Sequence, residues 1–117
     1  MNRDSRPRLH DILRSIDWIE QDAAGKTAED FASDRRARQL VERNVEIISE
    51  ASRHIPDTLK AAFPKIPRAD IAGIGNVMRH DYDEIVPRIL WRVVCDDLGP
   101  LRRAIERMLE IVDSNEP

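Results

Sequence analysis

The sequence has few cysteines, glycines and aromatic residues, and it contains no long apolar run. The single cysteine, Cys95, excludes an intrachain disulfide and a multi-cysteine zinc site. Four glycines and seven prolines in 117 residues are too few for a low-complexity segment. No apolar run approaches the ~18 residues of a membrane span, and the first eight residues lack an apolar signal core. These absences predict a cytoplasmic protein in a reducing setting, with no membrane segment.

The charge balance restricts how the chain can contact nucleic acid. Charged residues make up 35% and hydrophobic residues 41%, which excludes a disordered chain of low hydrophobicity. The net charge of −3 excludes a strongly basic nucleic-acid binder, so any such contact must come from a local patch. Sixteen of the 19 basic residues are arginine. Arginine suits bidentate phosphate recognition, although a GC-rich genome predicts the same excess.

Apolar residues recur at three- and four-residue steps nearly throughout, and no stretch alternates with period two, so we predict an all-α fold. Gly25 is expected to end the first helix as a C-cap. Thr27 and Asp30 resemble a capping box that opens a second helix over residues 28–54, roughly 40 Å long. A short helical turn is expected over residues 57–63.

The rest of the chain is predicted to add a third helix over residues 68–80 and a loop over 81–86. Pro87 is expected to start a fourth helix that runs through Cys95. Asp96 or Asp97 can cap a fifth helix. Helices with short connections pack as an antiparallel, up-and-down bundle, here of four to five helices. We predict one domain over residues 1–117, with short polar tails at 1–7 and 113–117.

The apolar positions of these helices predict the core. Trp18 and Trp91 are expected to anchor the core or an interface, and Cys95 to be a small buried side chain. The predicted core positions are Leu9, Ile12, Leu13, Ile16, Ile19, Ala23, Phe31, Ala37, Leu40, Val41, Val45, Ile48, Ala51, Ile55, Ile89, Leu90, Val93, Val94, Leu98, Leu101, Ile105, Met108 and Val112.

One polar cluster at the end of the predicted third helix suits phosphodiester chemistry without a metal. Asn76 and His80 are four residues apart and share a helix face, as do Gly75 and Arg79, and Tyr82 follows. A neutral histidine can take a proton from a ribose 2′-OH, and an arginine can stabilise charge on the phosphate oxygens. Spacing alone equally allows a helix-terminal cap at His80 and a surface charge at Arg79.

Other polar groups carry weaker signals. The acidic residues that flank His80 indicate a solvated loop rather than a divalent-ion site. His10 and His54 have no second ligand at i+4, so a metal site is not expected. A basic run in the second helix predicts a solvated face, or a track for RNA if it lies beside the motif. This run comprises Arg35, Arg36, Arg38 and Arg43.

Several short segments also follow one another in a characteristic order. They are the sequence EIISEA at 46–51, FPKIP at 63–67, NVMRHDY at 76–82, Trp91, and the pair Asp97 and Leu98. In this order and spacing the chain resembles the HEPN superfamily and, within it, the HepT-like toxins. The resemblance extends from Leu9 to the end of the last helix.

The resemblance implies a metal-independent ribonuclease site, formed across a homodimer, with no cofactor. His80, Tyr82 and Asn76 match the family motif, whereas Gly75 stands where the family has arginine. One interpretation is that Arg79, one helical turn away, replaces that arginine. The other is a degenerate motif in a helical dimer that binds a nucleotidyltransferase or RNA without cutting.

The resemblance also implies a partner, a small nucleotidyltransferase antitoxin of the MNT type. In such pairs the motif tyrosine, here Tyr82, can receive AMP. The added negative charge beside His80 and Arg79 would repel an RNA phosphate. The sequence therefore predicts a ribonuclease toxin that is silenced by AMP transfer.

Overall fold

The computed structural model describes residues 5–61 and 85–114, and these parts of the chain contain helices and no strand. The all-α prediction is therefore confirmed, whereas the predicted helix over 68–80 lies outside the described residues. The helices are α1 (Arg6–Ala23), α2 (Ala28–Ser33), α3 (Arg35–Arg53), α4 (Asp57–Ala61), α5 (Ile85–Arg92), a π-helical turn (Val93–Asp97) and α6 (Leu98–Ser114).

The core lies where α1, α3, α5 and α6 face one another, and most of the predicted core positions are buried. Leu9, Phe31 and Leu90 have no exposed surface. Leu40 was predicted wrongly, because its side chain is 46% exposed. It lies about 100° around α3 from the buried Val41, beyond the edge of the packed face.

The ends of α1 and α2 follow the sequence signals. Gly25 has a φ of +74°, the left-handed conformation that ends many helices. The Thr27 hydroxyl accepts a hydrogen bond from the Asp30 amide at 3.1 Å, and the Asp30 carboxylate accepts one from the Thr27 amide at 3.1 Å. The predicted C-cap and capping box are both confirmed.

The predicted long second helix is wrong, since Asp34 divides it into α2 and α3. Asp34 leaves the helical conformation (φ −97°, ψ 91°), and its carboxylate accepts a hydrogen bond from the Ala37 amide at 3.0 Å. The Ser33 hydroxyl donates to the Glu29 carbonyl at 3.1 Å. Both side chains bond to nearby backbone groups, which favours a helix end over a helix interior.

The junction of α5 and α6 also differs from the prediction. Helical backbone continues through Asp96 and Asp97, which lie inside the π-helical turn and do not start a separate helix. The Leu98 amide donates to the Val93 carbonyl, five residues back. Pro100 has no amide hydrogen and its ring crowds the carbonyl four residues earlier. The wider turn accommodates this conflict without a break.

Helices α1 and α6 pack antiparallel. Arg102 of α6 donates to Asp17 at 2.7 Å and to Glu20 at 2.9 Å, both on α1. At the other end of the pair, Arg6 lies 3.8 Å from Asp113. The hydrogen bond to Asp17 raises the pKa of Arg102, so this link stays charged at any physiological pH.

In the described parts of the chain, no helix has both the length and the apolar character that crossing a membrane requires.

Candidate functional site

The motif residues Asn76, Arg79, His80 and Tyr82 lie outside residues 5–61 and 85–114, and the structure does not test their roles. Their place in the sequence is directly before α5, with Tyr82 three residues ahead of Ile85. The part of the chain that the structure describes next to the motif is therefore α5 and the elements packed on it.

A groove of about 620 Å³ opens beside α5. Helix α2 contributes two alanines to its wall, and α3, α5 and the π-helical turn contribute the polar and aromatic side chains. We call it the arginine groove, defined by Arg38, Arg88, Trp91, Arg92, Cys95 and Asp96.

The α5 wall of the groove is held in place by an aromatic pair. Trp91 lies against Phe31 of α2, with ring centroids 5.3 Å apart and planes at 36°. Phe31 is fully buried, whereas Trp91 is half-buried and lines the groove. The break at Asp34 makes this contact possible, because α2 is free to follow a direction of its own. Trp91 thus packs on the core, as predicted, whereas Trp18 is 46% exposed and does not.

Three guanidinium groups make the groove electropositive. Arg88 and Arg92 are exposed and four residues apart on α5, and Arg38 of α3 is half-buried. Within residues 5–61 and 85–114, no carboxylate lies at ion-pair distance from any of the three. Asp96 is the only carboxylate among the lining side chains of the described residues, so the groove has an excess of positive charge.

Arg38 has a polar atom with no partner. Its Nε is buried and makes no hydrogen bond within the described parts of the chain. Burial raises the pKa of Glu42, one turn along α3, and the positive charge of Arg38 opposes that rise. A buried donor without an acceptor costs free energy, which an anion in the groove would recover.

The predicted basic run divides between two surfaces. Arg35, Arg36 and Arg43 are exposed, and Arg43 pairs with Glu46 at 3.6 Å, as expected of a solvated face. Only Arg38 enters the groove. The sequence analysis did not single out Arg88 and Arg92, although their i,i+4 spacing on either side of Trp91 is a usable signal.

The predicted burial of Cys95 is wrong, because the residue is exposed at the groove. The π-helical turn contains an extra residue, and this changes which side chains of the following turn face the core. Sequence periodicity with a constant step does not reveal such a shift.

The two histidines outside the motif lie on the surface of the described helices. The His54 ring is 3.2 Å from the Glu50 carboxylate, and this contact, followed by that of Arg53, lowers the pKa of Glu50. Among the described residues, no group of three or more His, Cys, Asp or Glu side chains is arranged to hold a metal ion.

The chain is similar to known ribonucleases along most of its length. The family model described as Ribonuclease HepT-like matches residues 12–108. A relative from Thermococcus cleftensis, named "Probable ribonuclease HepT", is 33% identical over 92% of this chain and 98% of its own length. A "Putative RNase" from Methanocaldococcus jannaschii is 31% identical over 89% of this chain and 95% of its own. No solved structure matches the chain. On the extent of these matches, the chain belongs to the HepT-like ribonuclease family.

Proposed function

We propose that this chain is a metal-independent endoribonuclease and the toxin of a toxin–antitoxin pair. Membership of the HepT-like family over residues 12–108 carries the proposal. Within that range, His80 and Tyr82 match the family motif. A homodimer brings two copies of the motif together, and a small nucleotidyltransferase of the MNT type is the antitoxin.

In the proposed reaction, neutral His80 takes the proton of a ribose 2′-OH, and the oxygen attacks the adjacent phosphorus. The bond from phosphorus to the 5′-oxygen breaks, and that oxygen receives a proton. The products are a 2′,3′-cyclic phosphate and a free 5′-hydroxyl. Arg79 stabilises the negative charge on the phosphate oxygens, Asn76 positions the backbone, and Tyr82 binds the RNA.

Arg79 has this role because Gly75 occupies the position of the family arginine. Both positions lie on nearly the same stripe of the predicted helix, and a glycine leaves room beside it for a long side chain. AMP on Tyr82 would then place a phosphate beside Arg79 and His80, in competition with the substrate phosphate.

Inducible expression in a bacterial host tests the proposal, with wild type compared with His80→Ala and Arg79→Ala. His10→Ala is the matched control, because His10 is an exposed histidine on α1. Wild type and the control are expected to arrest growth and fragment cellular RNA, and both motif variants to be harmless. Fragmentation by a folded His80→Ala protein would contradict the assignment.

The replacement of the family arginine by Gly75 favours one alternative, a helical dimer that binds the nucleotidyltransferase or RNA without cutting. Gly75→Arg distinguishes the two. If Arg79 has taken over the role, a second arginine crowds the same stripe and activity falls. If the motif is degenerate, the substitution creates or raises activity.

A further inference from the structure

We propose that the arginine groove is a binding site for single-stranded RNA, in which Arg38, Arg88 and Arg92 contact phosphates and Trp91 stacks on a base. The inference rests on the proposed function in one respect, that the bound strand is the substrate of the ribonuclease. It adds a substrate-positioning surface outside the motif, built from residues that the structure describes.

The charge of the groove favours an anionic chain. Its three arginines face one lining carboxylate, Asp96, in a protein whose net charge is −3. None of the three is neutralised by a carboxylate at ion-pair distance within the described ranges. Arg38 also has a buried Nε–H without an acceptor. Phosphate oxygens supply both the missing charge and the missing acceptor.

The spacing of the groove fits successive nucleotides. Arg88 and Arg92 are four residues apart, a rise of roughly 6 Å along α5, close to the separation of neighbouring phosphates in a single strand. The groove volume of about 620 Å³ lies in the usual range for pockets that hold small ligands. One or two nucleotide units therefore fit beside α5.

Trp91 gives the groove a preference for unpaired bases. Its ring lies between Arg88 and Arg92 in the sequence and is supported from behind by Phe31 at 5.3 Å. An aromatic side chain held in this way is a stacking platform, and stacking requires a base that is not in a duplex. Helix α5 begins three residues after Tyr82, so a strand in the groove lies on the element that directly follows the motif.

Binding is measured by fluorescence anisotropy, with a fluorescein-labelled 12-nucleotide oligouridylate and His80→Ala protein, which leaves the strand intact. Arg38→Gln, Arg88→Gln and Arg92→Gln are each expected to weaken binding roughly three- to tenfold. The triple variant is expected to lower the salt-dependence slope by about 2, since each lost phosphate contact on a single strand removes about 0.7. Arg107→Gln is the control, because Arg107 is exposed on α6, roughly 22 Å along the helix from Arg92.

Stacking is tested separately by tryptophan fluorescence. Trp18→Phe leaves Trp91 as the only tryptophan, at little cost because Trp18 is 46% exposed. The oligouridylate is expected to quench this fluorescence, whereas polyglutamate, a polyanion without bases, is not. Equal quenching by polyglutamate, or binding that is unaffected by all three arginine substitutions in proteins with unchanged melting curves, would overturn the proposal. A groove that binds polyglutamate and not RNA would indicate an acidic protein partner instead.

Kinetics separate this inference from the proposed function. In protein with His80 intact, the groove variants are expected to raise KM for RNA cleavage and leave kcat within about twofold, because they bind the strand away from the reacting bond. Cleavage that depends on His80, with an unchanged KM in the groove variants, rejects the groove alone. Groove-dependent binding by a wild type that never cleaves RNA rejects the ribonuclease and leaves the binding site.

Discussion

At the scale of single residues, sequence periodicity predicts burial well until a side chain lies at the edge of a helix face. Leu90 and Leu40 illustrate this, since both were predicted to be core residues. Leu90 is fully buried, whereas Leu40 is 46% exposed. A pattern of three- and four-residue steps includes every position within a broad stripe. Only the packed neighbour helices decide how wide the buried part of the stripe is.

The two leucines give a matched test of this difference. Leu90→Ala removes a fully buried side chain and is expected to lower the free energy of unfolding by about 2–5 kcal/mol. Leu40→Ala makes the same chemical change on the surface and is expected to alter it by less than about 0.5 kcal/mol. Urea denaturation followed by circular dichroism measures both values. Equal losses in the two variants would contradict the packing described here.

Cys95 provides a second test at the residue scale. The residue is exposed beside the arginine groove, so its thiol is expected to react fully with Ellman's reagent in the native protein. The sequence contains a single cysteine, so the colour yield reports this site alone. A thiol that reacts only after denaturation would restore the original prediction of a buried side chain.

At the scale of helices, the signals that the sequence carries are local, and the structure confirms those whose cause is local. The glycine at 25 and the capping box of Thr27 and Asp30 were predicted because each acts within one turn. The break at Asp34 is also local, but the continuous apolar stripe of residues 28–54 concealed it. The π-helical turn before Pro100 has no periodic signature, because its step differs from that of the helices on either side.

The Asp34 cap leads to a prediction about pH. The amide of Ala37 and then Lys26, 3.2 Å away, lower the pKa of the Asp34 carboxyl. Its contribution to stability is therefore present above the ordinary pKa of about 4 and is lost as the pH falls through the lower, folded-state value. Asp34→Asn keeps a good N-cap but not the charge. We expect it to melt below wild type at pH 7 and together with wild type near pH 2. A difference in melting temperature that stays constant over this range would contradict the role of the charge.

At the scale of the whole molecule, fold class and family were predictable from one sequence, and the groove was not. Helical periodicity and the order of short segments run along the chain, so they can be seen without a structure. The arginine groove joins Arg38 of α3 to Arg88 and Arg92 of α5, which are distant in sequence. Only tertiary packing, through Phe31 and Trp91, brings them together. The motif around His80 stays a prediction from sequence and family.

The proposed homodimer is a property of the whole molecule. The chain has a mass of 13.5 kDa, so sedimentation velocity is expected to give about 27 kDa, twice that value, at micromolar concentration. A species of single-chain mass that still cleaves RNA would contradict a site formed across two copies.

The central claim is that the purified chain cuts RNA without a metal and that His80 does the proton transfer. The most direct measurement is cleavage of a labelled RNA in excess EDTA by wild type, His80→Ala and the surface control His10→Ala. We expect wild type and the control to release fragments with 2′,3′-cyclic phosphate ends. The rate with His80→Ala is expected to be lower by a factor of about 10²–10⁴, the usual contribution of a general base. Intact RNA after incubation with folded, dimeric wild type, or an equal rate with His80→Ala, would contradict the account.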